Sequence, residues 1–269
     1  MRPIKTFYLS EGNNWGDVFT PFLFSKRYNL ELEQTIYDQP FDLVSTGSLL
    51  RDLPNPYHSD PSFQTRPGFT GHVLGTGLMD WTHPEPFDLT AAKVHLLRGR
   101  LTLENCKTFG RPPLGDPGIL AYLFAPIWKP EYEIGLIPHY VEKDHRQIKY
   151  WMKKGAHLID VQSGVQNVIN EASKCERIIS SSLHGLVLAD SLGIPNHLVV
   201  LHPNWVWGRC GFKFHDYYSV YNERADDPHS IDEAIELCKT RDTTAVKAAV
   251  KQAFDNFVES WTTRSENAL

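Results

Sequence analysis

The stretch from Cys175 to Pro195 places the tightest limit on what this chain can fold into. Residues 177–180 read as a short buried strand that follows a helix. Residues 186–192 are almost continuously apolar at helical length, and Gly193 and Pro195 then supply a stop. Between the two stand Ser180, Ser181, Ser182, His184 and Gly185. A strand that turns sharply into a helix leaves the first helical N–H groups unpaired and aimed at whatever fills the turn. With the helix dipole, such a turn becomes a candidate site for a phosphate or a carboxylate. Hydroxyl residues let the anion approach, and a histidine adds a donor or a proton. The plainer alternative is a serine-rich turn beside a core histidine.

The same unit recurs along the chain. Residues 5–9 read as a strand that runs into Ser10-Glu-Gly-Asn-Asn-Trp-Gly-Asp17 and then a helix with Phe19, Phe22, Leu23 and Leu30 on one face. Asp17 is placed to cap that helix, or to meet a ligand. Residues 42–45 and 73–75 are further strands, each leading into a glycine-bearing turn. Gly75-Thr-Gly77 lacks the third glycine and the acidic partner of a dinucleotide fingerprint and is discounted. Residues 53–71, with four prolines and one histidine, read as a long surface loop. A strand at 94–97 ends at Arg98-Gly-Arg100, whose forked donors suit a carboxylate or phosphate unless they are merely solvated. Leu114-Gly-Asp-Pro117 then enters an apolar helix that Asp116 either caps or leaves for the cleft.

A boundary is expected at residues 126–130, after which the alternation resumes. Strand 134–137 leads to Pro138-His-Tyr140 and a helix around 143–154. Strand 157–161 is followed by a helix with Val165, Val168, Ile169 and Ala172 at helical spacing. Strand 197–201 comes after the opening stretch. Ser230-Ile-Asp-Glu233 is a capping box, and Val246, Val250, Ala253, Phe254, Phe257 and Trp261 form an apolar stripe on a last helix. Strands alternating with helices imply an α/β fold with open parallel sheets covered on both faces. Three segments are expected: 1–126 on the acceptor side, 127–240 on the donor side, and 241–269 as a helix packing back on the body. Ligands of parallel sheets bind at the carboxyl ends of the strands. Asn14–Asp17, Gly47, Gly75–Gly77, Arg98, Asp116, His139 and residues 180–185 all fall there.

Composition excludes several classes. With 269 residues, 41% hydrophobic and 22% charged, the chain is long enough to bury a core and is not of disordered composition. A formal charge of −5 gives no support for a nucleic-acid partner. No apolar run approaches the ~20 residues of a spanning helix, so membrane contact is expected to be peripheral at most. The start of the chain has too short an apolar run for a signal peptide. Four dispersed cysteines (Cys106, Cys175, Cys210, Cys238) fit a reducing cytoplasm, and His58, His72, His83 and His95 lack metal-ligand spacing.

Taken in order, Asn14-Trp-Gly-Asp17, Arg98-Gly99, Leu114-Gly-Asp-Pro117, Gly135-Leu-Ile-Pro-His139, Ser180-Ser-Ser-Leu-His-Gly185, Leu192-Gly-Ile-Pro195 and Lys213-Phe-x-Asp-Tyr217 resemble the polysaccharide pyruvyl transferase family, its bacterial exopolysaccharide branch in particular. The resemblance spans residues 7–218. It implies two Rossmann-like domains facing a cleft, a glycosyltransferase-B-like architecture. It also implies transfer of pyruvate from phosphoenolpyruvate to two sugar hydroxyls as a ketal, on a polysaccharide or its lipid-linked precursor, in the cytoplasm or at the inner face of the membrane. No cofactor or metal is implied, and a homo-oligomer is compatible with it.

On that resemblance His184 is the general acid or phosphate donor, Asp17 the base with Asp116 its alternate, and Arg98 and Lys213 pair with donor charge. Ser181, Ser182 and the backbone at Gly185 hold phosphate, and His139 lines the donor side. Asn14, Trp15 and Gly16 belong to the acceptor side, with Trp15, Trp205 and Trp207 as stacking surfaces for a sugar. Many relatives have an arginine where this chain has Ser182, which leaves Arg98, Arg100 or Arg209 to complete the anion site. Two readings stay beside this one: a glycosyltransferase using a nucleotide sugar, and a non-catalytic sugar-binding relative.

Overall fold

The structure is a computed structural model that describes residues 2–35, 40–50, 69–80, 86–127, 129–202, 211–226 and 228–266. Two parallel sheets carry it. The first comprises β1 (Ile4–Phe7), β2 (Leu32–Thr35), β3 (Leu43–Val44), β4 (His72–Leu74) and, after β5 (Phe87–Asp88), β6 (Lys93–Leu96), in the spatial order β2-β1-β3-β4-β6. β5 pairs instead with β7 (Cys106–Lys107). The second comprises β8 (Tyr132–Ile137), β9 (His157–Leu158), β10 (Cys175–Ser180) and β11 (Asn196–Leu198), in the order β11-β10-β8-β9. Strand pairing is parallel throughout both.

The topology locates the site. β1 lies between β2 and β3, and β8 lies between β9 and β10, so in each sheet the chain departs to one side and returns on the other. In open parallel sheets such a reversal is where the connecting segments part and ligands bind, at the carboxyl ends of the strands. The loops that leave β1, β8 and β10 therefore carry the residues placed to meet a ligand.

The helices are α1 (Phe19–Tyr28), α2 (Arg100–Glu104), α3 (Arg146–Lys153), α4 (Val165–Ala172), α5 (Leu183–Leu192), α6 (Gly211–Ser219), α7 (Ile231–Glu236) and α8 (Thr244–Glu266), with a 3-10 helix at Pro117–Phe124. The apolar spacing is obeyed where it is strongest. Val165, Val168, Ile169 and Ala172 are all buried on α4. Ser230 caps α7 by accepting from the Glu233 amide at 3.1 Å. Asp116 caps the 3-10 helix by accepting from Gly118 at 2.8 Å. Val246, Val250, Ala253, Phe254, Phe257 and Trp261 of α8 are buried, and Phe254 and Phe257 meet the ring of Phe24 on α1. No helix of the described residues is long and apolar enough to cross a membrane.

Other expectations need correction. Asp17 does not cap α1: Val18 occupies that position without a side-chain bond, and the Asp17 carboxylate turns back to accept from Asn14 Nδ2 at 2.9 Å. Several strands are shorter than their apolar runs, because only the residues facing a neighbouring strand extend into the ladder. The loop expected at residues 53–71 lies mostly outside the described residues.

One hydrophobic core runs through both sheets. Trp15 and Phe19, Ile119 of the 3-10 helix, and Leu183, Leu186 and Val187 of α5 belong to a single cluster. A buried ion pair adds a polar tie. Arg98, at the end of β6, has its Nε 2.9 Å from Asp216 Oδ2 on α6, and neither side chain is exposed. Its Nη1 donates to Ser48 Oγ at 2.7 Å and its Nη2 to the Leu78 carbonyl at 2.6 Å. Asp216 also accepts from the amide and the hydroxyl of Thr102, each at 2.7 Å. A side chain on Gly99 would collide with Asp216, since an added Cβ falls 2.0 Å from the Asp216 carbonyl. Removing one partner strands a buried charge, which costs ~3–5 kcal/mol, whereas an apolar replacement of both costs far less. Asp216→Ala should therefore lower the unfolding free energy measured by denaturant titration by that order, and the double variant Arg98→Met/Asp216→Leu should recover most of the loss in the same titration.

Candidate functional site

The floor of the site is the start of α5. Ser182 occupies the cap position with extended backbone and no side-chain cap, and the first amide to reach back is Leu186, 3.4 Å from the Ser182 carbonyl. Among the described residues the amides of Leu183, His184 and Gly185 meet no acceptor. These are the donors that an uncapped helix start presents to an anion. Ser180 is occupied structurally: its hydroxyl bonds the Ile137 and Ser182 carbonyls and accepts from the Ser182 amide. Gly185 is needed for packing, because a Cβ there would lie 2.2 Å from Ser180 Oγ and 2.8 Å from Ile137. Only its amide remains for a ligand.

The wall opposite is the loop after β1. Trp15 N donates to the Val161 carbonyl at 2.8 Å, and Asn13 Nδ2 to that of Gln162 at 3.2 Å. Gln162 Nε2 returns a bond to the Gly12 carbonyl. These bonds seat the loop on the segment after β9. Gly16 then lies flat on the imidazole of His184, so close that a Cβ would fall 1.9 Å from Nδ1. Trp15 is fully buried, edge-on to Phe19 and to His184 at a centroid distance of 6.1 Å. It is a wall of the histidine and not a stacking surface for a sugar, which corrects the expectation for that residue. Trp205, Trp207 and Arg209 lie outside the described residues.

Two carboxyls and two imidazoles face one another here. His184 Nε2 is 3.8 Å from Asp116 Oδ2, and neither atom has a hydrogen-bond partner although both are buried. Asn14 Oδ1 and Glu142 Oε1 are buried without a partner as well. Native interiors pair the large majority of such atoms, so several unpaired ones in one region call for a cause. Burial raises the Asp17 carboxyl to about 6, against the Asn14 hydrogen bond and the Lys213 charge. Burial likewise raises Asp116 to about 6; the Gly118 amide and Arg98 oppose the rise, while Asp216 and Asp17 add to it. Burial lowers His184 to about 3, helped by Lys213, Arg98 and His139. His139, partly exposed, is lowered to about 3 by burial and by Lys213. Lys213 of α6 is partly buried, acts on all three of these groups that it faces, and forms no ion pair among the described residues.

Asn14, Gly16, Asp17, Asp116, His139, Ser181, Ser182, His184, Gly185 and Lys213 are thus gathered in one region. The turn at Gly47 joins them, with Asp17 Oδ1 3.7 Å from the position of its absent Cβ. Arg98 is not available to a ligand as expected, because its guanidinium is committed to Asp216, Ser48 and Leu78. Arg100 bonds Asn222 instead of facing the site. Gly75 and Gly77 accommodate Pro117 and Arg98, a packing role.

Sequence reasoning missed Glu142. It sits in a single 3-10 turn (Tyr140–Glu142), buried, and takes the Ser181 hydroxyl on Oε2. The pattern around it is inverted, with Tyr140 and Val141 exposed and the carboxylate inside.

Comparison with known proteins bears on this geometry. The family described as polysaccharide pyruvyl transferase matches residues 92–203, a span that holds Asp116, His139 and the whole start of α5. Uncharacterized protein L143 of Acanthamoeba polyphaga mimivirus is 34% identical over 170 residues, covering 57% of this chain and 56% of that protein. The chain thus spans about half the length of the curated relative it matches. The resemblance read from the ordered motifs stands: through residues 92–203 this chain carries the pattern of the polysaccharide pyruvyl transferase family.

Proposed function

We propose that the protein transfers pyruvate from phosphoenolpyruvate to two hydroxyls of a sugar, in a polysaccharide or its lipid-linked precursor, forming a pyruvate ketal. The observation that carries this reading is the unpaired His184 Nε2 beside the bare amides of α5, with two carboxyls of raised pKa within the same enclosure. In this reading residues 1–126 and 127–240 act as two Rossmann-like halves of a glycosyltransferase-B-like architecture, acceptor side and donor side, and residues 241–269 brace them. The work is done in the cytoplasm or against the inner face of the membrane, as part of exopolysaccharide assembly.

The chemistry sets what the residues must do. In the overall reaction the C2–O bond to phosphate breaks and two C2–O bonds to the sugar form. The methylene carbon gains a proton, and of the two hydroxyl protons one is balanced by that gain while the other leaves with phosphate. The site must therefore both remove and deliver protons. Phosphoenolpyruvate is highly anionic near neutrality, so it calls for cations and oriented amides at both ends. Lys213 and the amides of residues 183–185 supply them, with Ser181 and Ser182 beside the phosphate and His139 lining the donor side. Lys213 takes the part expected of Arg98.

His184 is neutral in the free protein, since burial lowers it to about 3. Arrival of the donor's negative charge favours the imidazolium, so the acid forms where and when the donor binds. Asp17 is the base for the attacking hydroxyl, with Asp116, 3.8 Å from His184 Nε2, as its alternate. A base must be ionised, and Asp17 ionises as pH rises through about 6. Turnover at subsaturating substrate should accordingly fall about tenfold per pH unit below that value, a limb that Asp17→Asn removes along with most of the activity.

His184→Gln should reduce phosphate release from phosphoenolpyruvate plus acceptor by ~10²–10⁴-fold. Full activity in that variant would refute the role given to this histidine. Phosphoenolpyruvate should raise the melting temperature where nucleoside diphosphates do not. The reverse outcome would favour a nucleotide-sugar glycosyltransferase, and binding without phosphate release a sugar-binding relative.

A further inference from the structure

Ser181 stands at the end of β10, where its hydroxyl would be a natural donor to an anion at the start of α5. Its hydrogen-bond roles, however, are already assigned. Oγ accepts from the His139 amide at 3.0 Å and donates its one proton to Glu142 Oε2 at 2.5 Å. A hydroxyl has a single proton to give. While Glu142 is a carboxylate, Ser181 turns its lone pairs, not its proton, toward anything that binds in front of the helix.

Glu142 itself is held in an unusual state. Its side chain is buried, and Oε1 has no hydrogen-bond partner. A buried carboxylate with half of its acceptor capacity unused is costly, and the cost disappears when the group takes a proton. The neighbouring elements place few charges on it. From α6 comes Lys213 and from the segment after β11, His202, while His139 caps the turn that carries Glu142. Lys143, the next residue, is directed to Asp160 and Gln162. Burial raises the Glu142 pKa, against the Ser181 hydrogen bond and the opposing influence of His202 and Lys213.

We propose that Glu142 is a positioning residue that switches Ser181 between two hydrogen-bonding states, so that binding of a phosphate- or carboxylate-class anion at the start of α5 is accompanied by uptake of a proton on Glu142. In the free state Ser181 donates to the carboxylate. In the bound state the Glu142 acid donates to Ser181 Oγ, and the hydroxyl proton is released toward the anion. One proton enters from solvent and no covalent bond other than O–H changes. The inference rests on the anion site proposed above and assigns that site a residue and a proton stoichiometry.

The test uses sulfate as the probe, because its charge is constant across the working range. Sulfate binding to the full chain is followed by calorimetry from about pH 5.5 to about pH 8.5, in two buffers of different ionisation enthalpy, so that protons taken up are counted directly. The comparison is with E142Q, whose amide can donate permanently to Ser181, and with S181A, which removes the hydroxyl. The wild-type affinity should fall by up to about tenfold per pH unit above the Glu142 titration. E142Q should bind as tightly or more tightly at the alkaline end, with proton uptake lower by about one per anion. S181A should bind more weakly and show the same reduced uptake. A merely structural role for Glu142 predicts loss of binding in E142Q, and that outcome, with melting temperature unchanged, overturns the proposal. So does E142Q with wild-type proton uptake, which leaves the anion site standing. Absence of sulfate and phosphoenolpyruvate binding in every form would remove the anion site and this inference together.

Discussion

The buried pair between Arg98 and Asp216 is the constraint on which the rest of the site depends. Arg98 belongs to the end of β6 in the first sheet, whereas Asp216 belongs to α6, a helix that follows the second sheet in the chain. Lys213 lies three residues before Asp216, one helical turn away, and α6 is fixed at that turn by Arg98 and both donors of Thr102. The ammonium that acts on Asp17, His139 and His184 is thereby delivered by a tie to the opposite half of the molecule. A cation on a long flexible stem gains little from proximity alone. Anchoring its helix removes the freedom that a bound anion would otherwise have to take away.

The surroundings of Lys213 are electrostatically frustrated in a consistent sense. Burial pushes Asp17 and Asp116 up to about 6 and His184 and His139 down to about 3, so each group is driven toward its neutral form. These groups do not satisfy one another: His184 Nε2 and Asp116 Oδ2 stay unpaired at 3.8 Å. Low effective dielectric makes the unpaired atoms costly and also makes any charge that enters strongly felt. The same burial that makes these unpaired atoms costly would raise their response to an anion.

Much of this fold was legible from local pattern. The α4 stripe, the α8 stripe, the capping box at Ser230 and the strand–turn–helix at Ser180–Gly185 each rest on neighbours in the chain, and each appears as expected. The gathering of Asp17, Asp116, His139 and His184 was legible for a topological reason, since all follow strand ends in parallel sheets. What failed depended on partners far away in sequence. Arg98 at a strand end looks the same whether its guanidinium meets solvent, a ligand or Asp216, which is 118 residues distant. Trp15 in a glycine-rich loop gives no local sign that Gly16 will bring it down on His184. Glu142 was invisible because two exposed apolar neighbours made its turn look like surface.

The neutral state of His184 before the donor binds has a chemical consequence. An enol phosphate is activated by protonation at carbon, and a permanently cationic histidine beside an open site would expose that activated form to water. In the proposed reaction the imidazole would gain its proton only when the donor's negative charge sits in front of α5, against burial and the repulsion from Lys213 and Arg98. Linkage makes the relation reciprocal: whatever the anion does for the proton affinity of His184, the proton does for the affinity of the anion. On that proposal donor and proton arrive as a unit beside Trp15 and Gly16, with the partly exposed Asp17 carboxyl as the base.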